Sequence, residues 1–301
     1  MSATTMTGAG HAPDSLAPRR VSMGRVVLTV NDLDRMRTFY EQAAGLHLLR
    51  QDGTTAELGV GASVLLELRR DALARRRSPR EAGLFHTAFL LPSRGDLARW
   101  TKTAIGGRTP VVGTSDHSVS EAIYLADPEG NGVEIYADRP VSSWRWKDGA
   151  VTMPSNPLDV QDLLAAAGDG NWLGFPEGSA VGHVHLQVGA IAPAEAFYSG
   201  VLGLDITCRY PGGTFYAEDG YHHHIATNIW NSRGAASRAY PSTGLAELAI
   251  HLDAGRAEAI GRRGGQTPAD AHSFTLRDPW NTAIAIVPVA DRRPALDPKG
   301  P

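Results

Sequence analysis

The chain has 301 residues, with 29 Lys and Arg against 32 Asp and Glu, for a formal net charge of −3. That balance leaves no electrostatic footprint for nucleic acid or an anionic membrane, and no apolar run approaches the roughly 20 residues needed to span a bilayer. A single cysteine, Cys208, excludes an internal disulfide and a multi-cysteine metal site, which fits a reducing, cytoplasmic setting.

Residues 1–20 contain no apolar core of the kind a secretory signal needs, and they read as a disordered tail. A first unit starts at Gly24, with a strand, an Asn31/Asp32 N-cap, a helix and a closing Gly45. A second unit runs from His86 to Tyr136. Residues 139–180 follow, with Pro140, Trp144, Trp146, Pro154, Pro157 and Trp172. Their tryptophans predict an ordered linker, with a short helix over Val160–Ala167. A third unit starts at Gly182 and matches the first: Phe197-Tyr198 aligns with Phe39-Tyr40, and Gly203-Leu204 with Gly45-Leu46. A fourth runs from Glu247 to Val287, and its DPWNTAIAI is a degraded copy of the DPEGNGVEI in the second. Each unit predicts a strand, a helix and about three more strands.

The most informative stretch is Ser115–Tyr136. Ile123-Tyr124-Leu125 and Val133-Glu134-Ile135-Tyr136 are rich in strand formers, and the Asp-Pro and Gly-Asn-Gly between them are turn residues, so a β-hairpin is predicted. Alternation puts Glu134 on the face of Gly132 and Tyr136. A carboxylate in so apolar a strand is costly unless a cation or metal pairs with it.

His117, five residues, Ile123-Tyr124, two residues, Asp127-Pro128-Glu129-Gly130, three residues and Glu134 closely resemble the signature of extradiol ring-cleavage dioxygenases of the vicinal-oxygen-chelate superfamily. Ser115 departs from it, because the family usually has Gly, Asn, Thr, Ile or Val there. The first half, the Asp138-Arg139-Pro140 that follows it and the tryptophan-bearing linker look most like two-domain catechol 2,3-dioxygenases. The resemblance implies an α+β fold of four βαβββ modules, forming two vicinal-oxygen-chelate domains with curved mixed sheets around cavities. The expected division is a tail at 1–20, a first domain at 21–138, a linker at 139–180, a second domain at 181–290 and a tail at 291–301.

The superfamily takes metal ligands from the start of the first strand and a point on the last strand of each module. Those positions are Arg25 in module one, His86 and Glu134 in module two, His183 in module three, and Glu247 and Ala285 in module four. Pairing modules one with two and three with four leaves each cavity short of ligands. Pairing two with three assembles His86, Glu134 and His183, a ligand type that suits non-haem Fe(II) and that Mn(II) also accepts. His185 competes with His183, since residues i and i+2 of a strand share a face; register with the superfamily favours His183. His11, His47, His251 and His272 read as ordinary core or surface residues.

The run Tyr221-His222-His223-His224 resembles the paired histidines of extradiol enzymes, which makes His223 the expected acid–base residue. Alternation sends His222 and His224 to one face and His223 to the other, and a bulge could change which enters the cavity. Histidine titrates where a catechol proton must be taken and returned. The resemblance gives His117 and Tyr124 roles in hydrogen-bonding the substrate or the oxygen-derived ligand. The expected reaction is extradiol cleavage of catechol or a substituted catechol, a small aromatic diol, with both atoms of O2 inserted, in a protein of a fold that often pairs into homo-oligomers. The rivals are a metal-free binding protein for a drug or biosynthetic intermediate, and a glyoxalase-type isomerase or lyase using a second carboxylate.

Overall fold

A computed structural model describes residues 21–266 and 273–289. The expected tails at 1–20 and 291–301, together with His11 and His272, lie outside these residues. The first unit is β1 (Val21–Val30), α1 (Leu33–Phe39), β2 (His47–Gln51), β3 (Thr55–Val60) and β4 (Ser63–Arg70). The second is β5 (Gly83–Leu90), α2 (Arg94–Gly106), β6 (Gly113–Asp116), β7 (Ser120–Ala126) and β8 (Gly132–Asp138). The connecting segment holds a small hairpin, β9 (Trp146–Lys147) and β10 (Ala150–Val151), then α3 (Val160–Ala165). The third unit is β11 (Ala180–Gln187), α4 (Ile191–Glu195), β12 (Asp205–Tyr210), β13 (Gly213–Ala217) and β14 (Ile225–Asn228). The fourth is β15 (Gly244–Asp253), α5 (Ala254–Arg263), β16 (Phe274–Arg277) and β17 (Ala283–Val289). It has two strands after its helix among the described residues, and 267–272 lies between them and that helix.

Local chemistry sets the element ends. Asp32 caps α1 by accepting from the Arg35 amide at 3.0 Å, and Asp253 caps α5 by accepting from Arg256 at 3.0 Å. Gly45, with φ of 102°, turns the chain out of the first helix. The helix over Val160–Ala167 ends slightly earlier than expected, at Ala165. No helix among the described residues is long and apolar enough to cross a membrane.

The strands form two large mixed sheets, an α+β architecture. One runs β12-β13-β14-β11-β5-β8-β7-β6 and the other β16-β17-β15-β1-β4-β3-β2. In the first, β5 and β11 pair antiparallel at the centre, and each has a parallel neighbour from its own unit, β8 and β14. In the second, β1 and β15 take the centre, with β4 and β17 beside them. Each sheet therefore joins one unit from before the connecting segment to one from after it, units two and three in the first, one and four in the second. A continuous apolar core, including Leu28, Met36, Tyr40, Phe89, Trp100 and Ile284, packs the sheets and helices together.

Two glycines let the central strands close. A Cβ on Gly132 would meet the Phe85 carbonyl at 2.2 Å, and one on Gly182 would meet the Tyr136 hydroxyl at 1.8 Å. Either would push apart strands that carry the site.

Candidate metal centre

The predicted hairpin is β7 and β8, in which Tyr124 stands directly across from Glu134. Its turn is tied by Asp127, whose Oδ1 accepts from the amides of Glu129 (2.9 Å) and Asn131 (2.8 Å). Asp127 Oδ2 accepts from Asn131 Nδ2 at 2.8 Å and from the Tyr40 hydroxyl at 2.9 Å. The Asp-Pro-x-Gly-Asn part of the signature is thus a structural knot that fixes where β8 starts.

Sheet register then assembles the cluster. On β5 and β8, Ala88 pairs with Glu134, and on β5 and β11, Ala88 pairs with His183. His86 is two residues before Ala88 on the same face, so the carboxylate lands between two imidazoles. Glu134 Oε2 is 3.0 Å from His86 Nε2 and 3.3 Å from His183 Nε2. All three residues are buried, and their ligating atoms lie within 4.8 Å of one another. His86 Nε2 is close to Glu134 yet lacks hydrogen-bond geometry to any described residue, an orphaned buried nitrogen whose lone pair a metal would satisfy.

Burial disfavours a charged Glu134, but His183 and His86 outweigh it and hold the carboxyl well below its ordinary range. Burial pulls His183 down to about 4, against the pull of Glu134. At neutral pH, then, Glu134 is an anion and His183 a neutral imidazole, the states in which each can ligate.

His185 lies outside this group. Its ring is 5.0 Å from that of His86 and packs among Phe85 (5.0 Å), Trp230 (5.3 Å) and Phe215 (5.7 Å). Burial and the neighbouring histidines lower its pKa well below the ordinary value.

His117 and Tyr124 are joined, with His117 Nε2 2.9 Å from the Tyr124 hydroxyl. His117 Nδ1 lies 2.8 Å from the Pro154 carbonyl, which can only accept, so Nδ1 carries a proton. Burial, then the Glu134 charge, raises the Tyr124 hydroxyl well above its usual range, so it remains a donor.

The histidine run sits in a short loop just before β14, which settles how its side chains divide. His224 is already in the ladder: its amide donates to the Tyr216 carbonyl at 2.8 Å, and its carbonyl accepts from Val184 at 3.0 Å. His223 lines the cavity with its ring 4.0 Å from that of His183, and burial, then His183, depresses its pKa. His222 turns away into Asp138, 2.9 Å from its Nε2.

The cavity around the cluster has a volume of about 210 Å³. Drug-sized ligands occupy pockets of roughly 300–1,000 Å³, so this one suits a single small ring. Phe85, Phe215 and Trp230 form its apolar wall, and Met153 and Ser155 reach in from the connecting segment. None of these was legible in the sequence, because strand pairing, the loop after β14 and the connecting segment bring them together from distant positions.

The other sheet repeats the ladder steps with different side chains. Arg25 precedes Val27, which pairs with both Glu67 and Glu247, as Ala88 pairs with both Glu134 and His183. Arg25 Nε is 2.9 Å from Glu67, and its NH2 is 3.4 Å from Glu247. Arg25 and Ala285 are recognisable in the sequence as positions that cannot ligate; Glu247, which could, is instead taken up with Arg25, as is Glu67, which only the ladder register identifies.

The family profile described as "Glyoxalase/Bleomycin resistance protein/Dioxygenase superfamily" matches residues 22–135. The chain is 37% identical over 275 residues to a catechol-2,3-dioxygenase of Bacillus subtilis (strain 168), covering 87% of this chain and 95% of that protein. A solved structure of a putative dioxygenase from Bacillus subtilis is similar, with a TM-score of 0.58 at 15% identity, over 88% of this chain and 84% of that one. So is glyoxalase I from Zea mays, with a TM-score of 0.52 at 16% identity, over 89% and 92%. Those two likenesses concern the fold.

Proposed function

Since the chain belongs to the glyoxalase/bleomycin resistance protein/dioxygenase superfamily, by a 37% identity that spans most of its length, we propose that it is an Fe(II)-dependent extradiol dioxygenase opening the ring of catechol or a substituted catechol. The observation that carries this reading is the His86–Glu134–His183 cluster. Two imidazoles and one carboxylate with open positions are the ligand type of non-haem Fe(II) oxygenases. Bound there, the metal would polarise diol and dioxygen and hold them adjacent. Mn(II) accepts the same set and is the alternative ion.

The chain's own residues supply the rest. Phe85, Phe215 and Trp230 bind and orient an aromatic ring and exclude water. His223, neutral and facing the cavity, takes a proton from a substrate hydroxyl and returns it as the ring opens. Tyr124, held by His117, presents its hydroxyl beside Glu134.

A glyoxalase-type site would need a second carboxylate. On β11 and β14 the place equivalent to Glu134 is opposite His185, and it is Ala226, which favours the dioxygenase. A metal-free binding protein would have no use for two imidazoles converging on a buried Glu134 carboxylate.

The test is aerobic reconstitution with Fe(II), a panel of catechols and isotopically labelled dioxygen. The expected result is a yellow ring-opened product carrying both labelled oxygen atoms, with one metal per chain. A chain that binds no metal and opens no catechol overturns the proposal.

A further inference from the structure

Asp138, His222 and His223 form a hydrogen-bonded line that ends at the cavity. His222 Nε2 is 2.9 Å from Asp138 Oδ1. His222 Nδ1 is 2.7 Å from His223 Nδ1. His222 is fully buried, and Asp138 also accepts from the Tyr221 hydroxyl at 3.3 Å, which is itself 2.8 Å from the Tyr136 hydroxyl. Glu134, Tyr136 and Asp138 are alternate residues of β8, so one face of one strand carries both the metal carboxylate and the origin of this line.

The protons on the line are fixed by what each atom can do. A carboxylate only accepts, so His222 donates to Asp138 from Nε2. In an uncharged imidazole the other nitrogen is then bare, so His222 Nδ1 accepts. Two bare nitrogens at 2.7 Å would repel, so the proton between the rings belongs to His223 Nδ1. His223 Nε2, the nitrogen away from His222, is left with a lone pair on a ring that lines the cavity.

Resting on the reading above of His223 as the proton acceptor, we infer that Asp138 is a positioning residue, acting through His222 to hold His223 in the tautomer whose bare Nε2 faces the substrate. Without Asp138, His222 has no reason to keep its proton on Nε2. It can then donate from Nδ1, which turns His223 over to the Nε2–H form, and that form cannot accept a proton from a diol. A purely structural role for Asp138 would affect folding and leave the tautomer of His223 unchanged.

The experiment measures tautomers and turnover separately. Long-range proton–nitrogen NMR on protein with 15N-labelled histidine, loaded with diamagnetic Zn(II), reports which nitrogen of each ring is protonated, with His223→Asn and His222→Phe to assign the signals. The wild type is expected to show His223 protonated at Nδ1 and His222 at Nε2, and Asp138→Ala to show His223 shifted towards Nε2–H. In the Fe(II) enzyme, Asp138→Ala and His222→Phe are each expected to lower kcat about tenfold to a hundredfold with KM within about twofold, with metal content unchanged. The double variant should be no slower than the slower single one. His222→Phe carries the test should Asp138→Ala fail to fold, as judged by circular dichroism. A wild-type His223 protonated at Nε2, or unchanged kcat in both variants of an enzyme that opens catechols, overturns the inference. A wild type that opens no catechol overturns the dioxygenase reading itself, and the catalytic purpose of the line with it.

Discussion

The Tyr40 hydroxyl donates to Asp127 at 2.9 Å, and the Tyr198 hydroxyl donates to Asp278 at the same 2.9 Å. In both cases a tyrosine at the end of one unit's helix holds the Asp-Pro turn of the next unit along the chain. Asp278 also accepts from the amides of Trp280 and Thr282, as Asp127 does from those of Glu129 and Asn131. The equivalence shows what the aspartate in the signature is for, since it is kept in the fourth unit, where Ala285 stands in place of a ligand.

Tyr40→Phe should therefore lower stability by about 1 kcal/mol and leave metal content intact. Asp127→Ala should cost more, about 3 kcal/mol, because it leaves two buried amides without an acceptor. Urea denaturation measures both. A loss of metal in Tyr40→Phe without a loss of stability would contradict the structural role.

Replacing His86, His183 or Glu134 by Ala should abolish tight metal binding, measured by elemental analysis, together with ring cleavage. His185→Ala should retain the metal and change KM, since His185 faces the aromatic wall outside the cluster. The opposite result, metal lost in His185→Ala and kept in His183→Ala, would reverse the ligand assignment.

The metal-stripped protein should weaken as pH falls. Burial depresses His183 to about 4 in the folded state, against about 6.5 unfolded. Between those values the unfolded chain binds more protons, so stability is fully present above about pH 6.5 and is lost as pH falls towards 4. His183 alone contributes on the order of 3 kcal/mol, and the lowered values of His185 and His223 act in the same direction. Thermal melts from pH 8 to pH 4 should show this fall, and bound metal should slow it until the ligands protonate.

Arg25→Met should leave metal stoichiometry at one per chain and cost little, under about 1 kcal/mol, since the arginine is partly exposed. A rise to two metals would show that the guanidinium had been blocking a working second site.

Much of the site could be read from the sequence because its residues lie in one hairpin and at strand starts. His117, Tyr124 and Glu134 sit within a single turn-linked segment, and His86 and His183 stand at equivalent places in repeated units. Asp138, Glu67 and Pro154 could not be read in this way. Asp138 stands in the sequence only as the first residue of Asp138-Arg139-Pro140, and it matters because His222, 84 residues on, is folded against it. Pro154 contributes only a carbonyl, which no residue type announces. The aromatic wall depends on the pairing of β5 with β11 and of β11 with β14, and on the loop after β14. Those are choices of partner among many similar strands, made by register and packing across the whole molecule.

The pairing of β5 with β11 and of β1 with β15 has a consequence for synthesis. As the polypeptide leaves the ribosome, its first 138 residues expose two strand edges whose partners have yet to be translated. His86 and Glu134 must wait for codon 183 before the third member of the cluster exists. Either half expressed alone should be sticky and inert, and the pair co-expressed as separate fragments should recover activity only by finding each other.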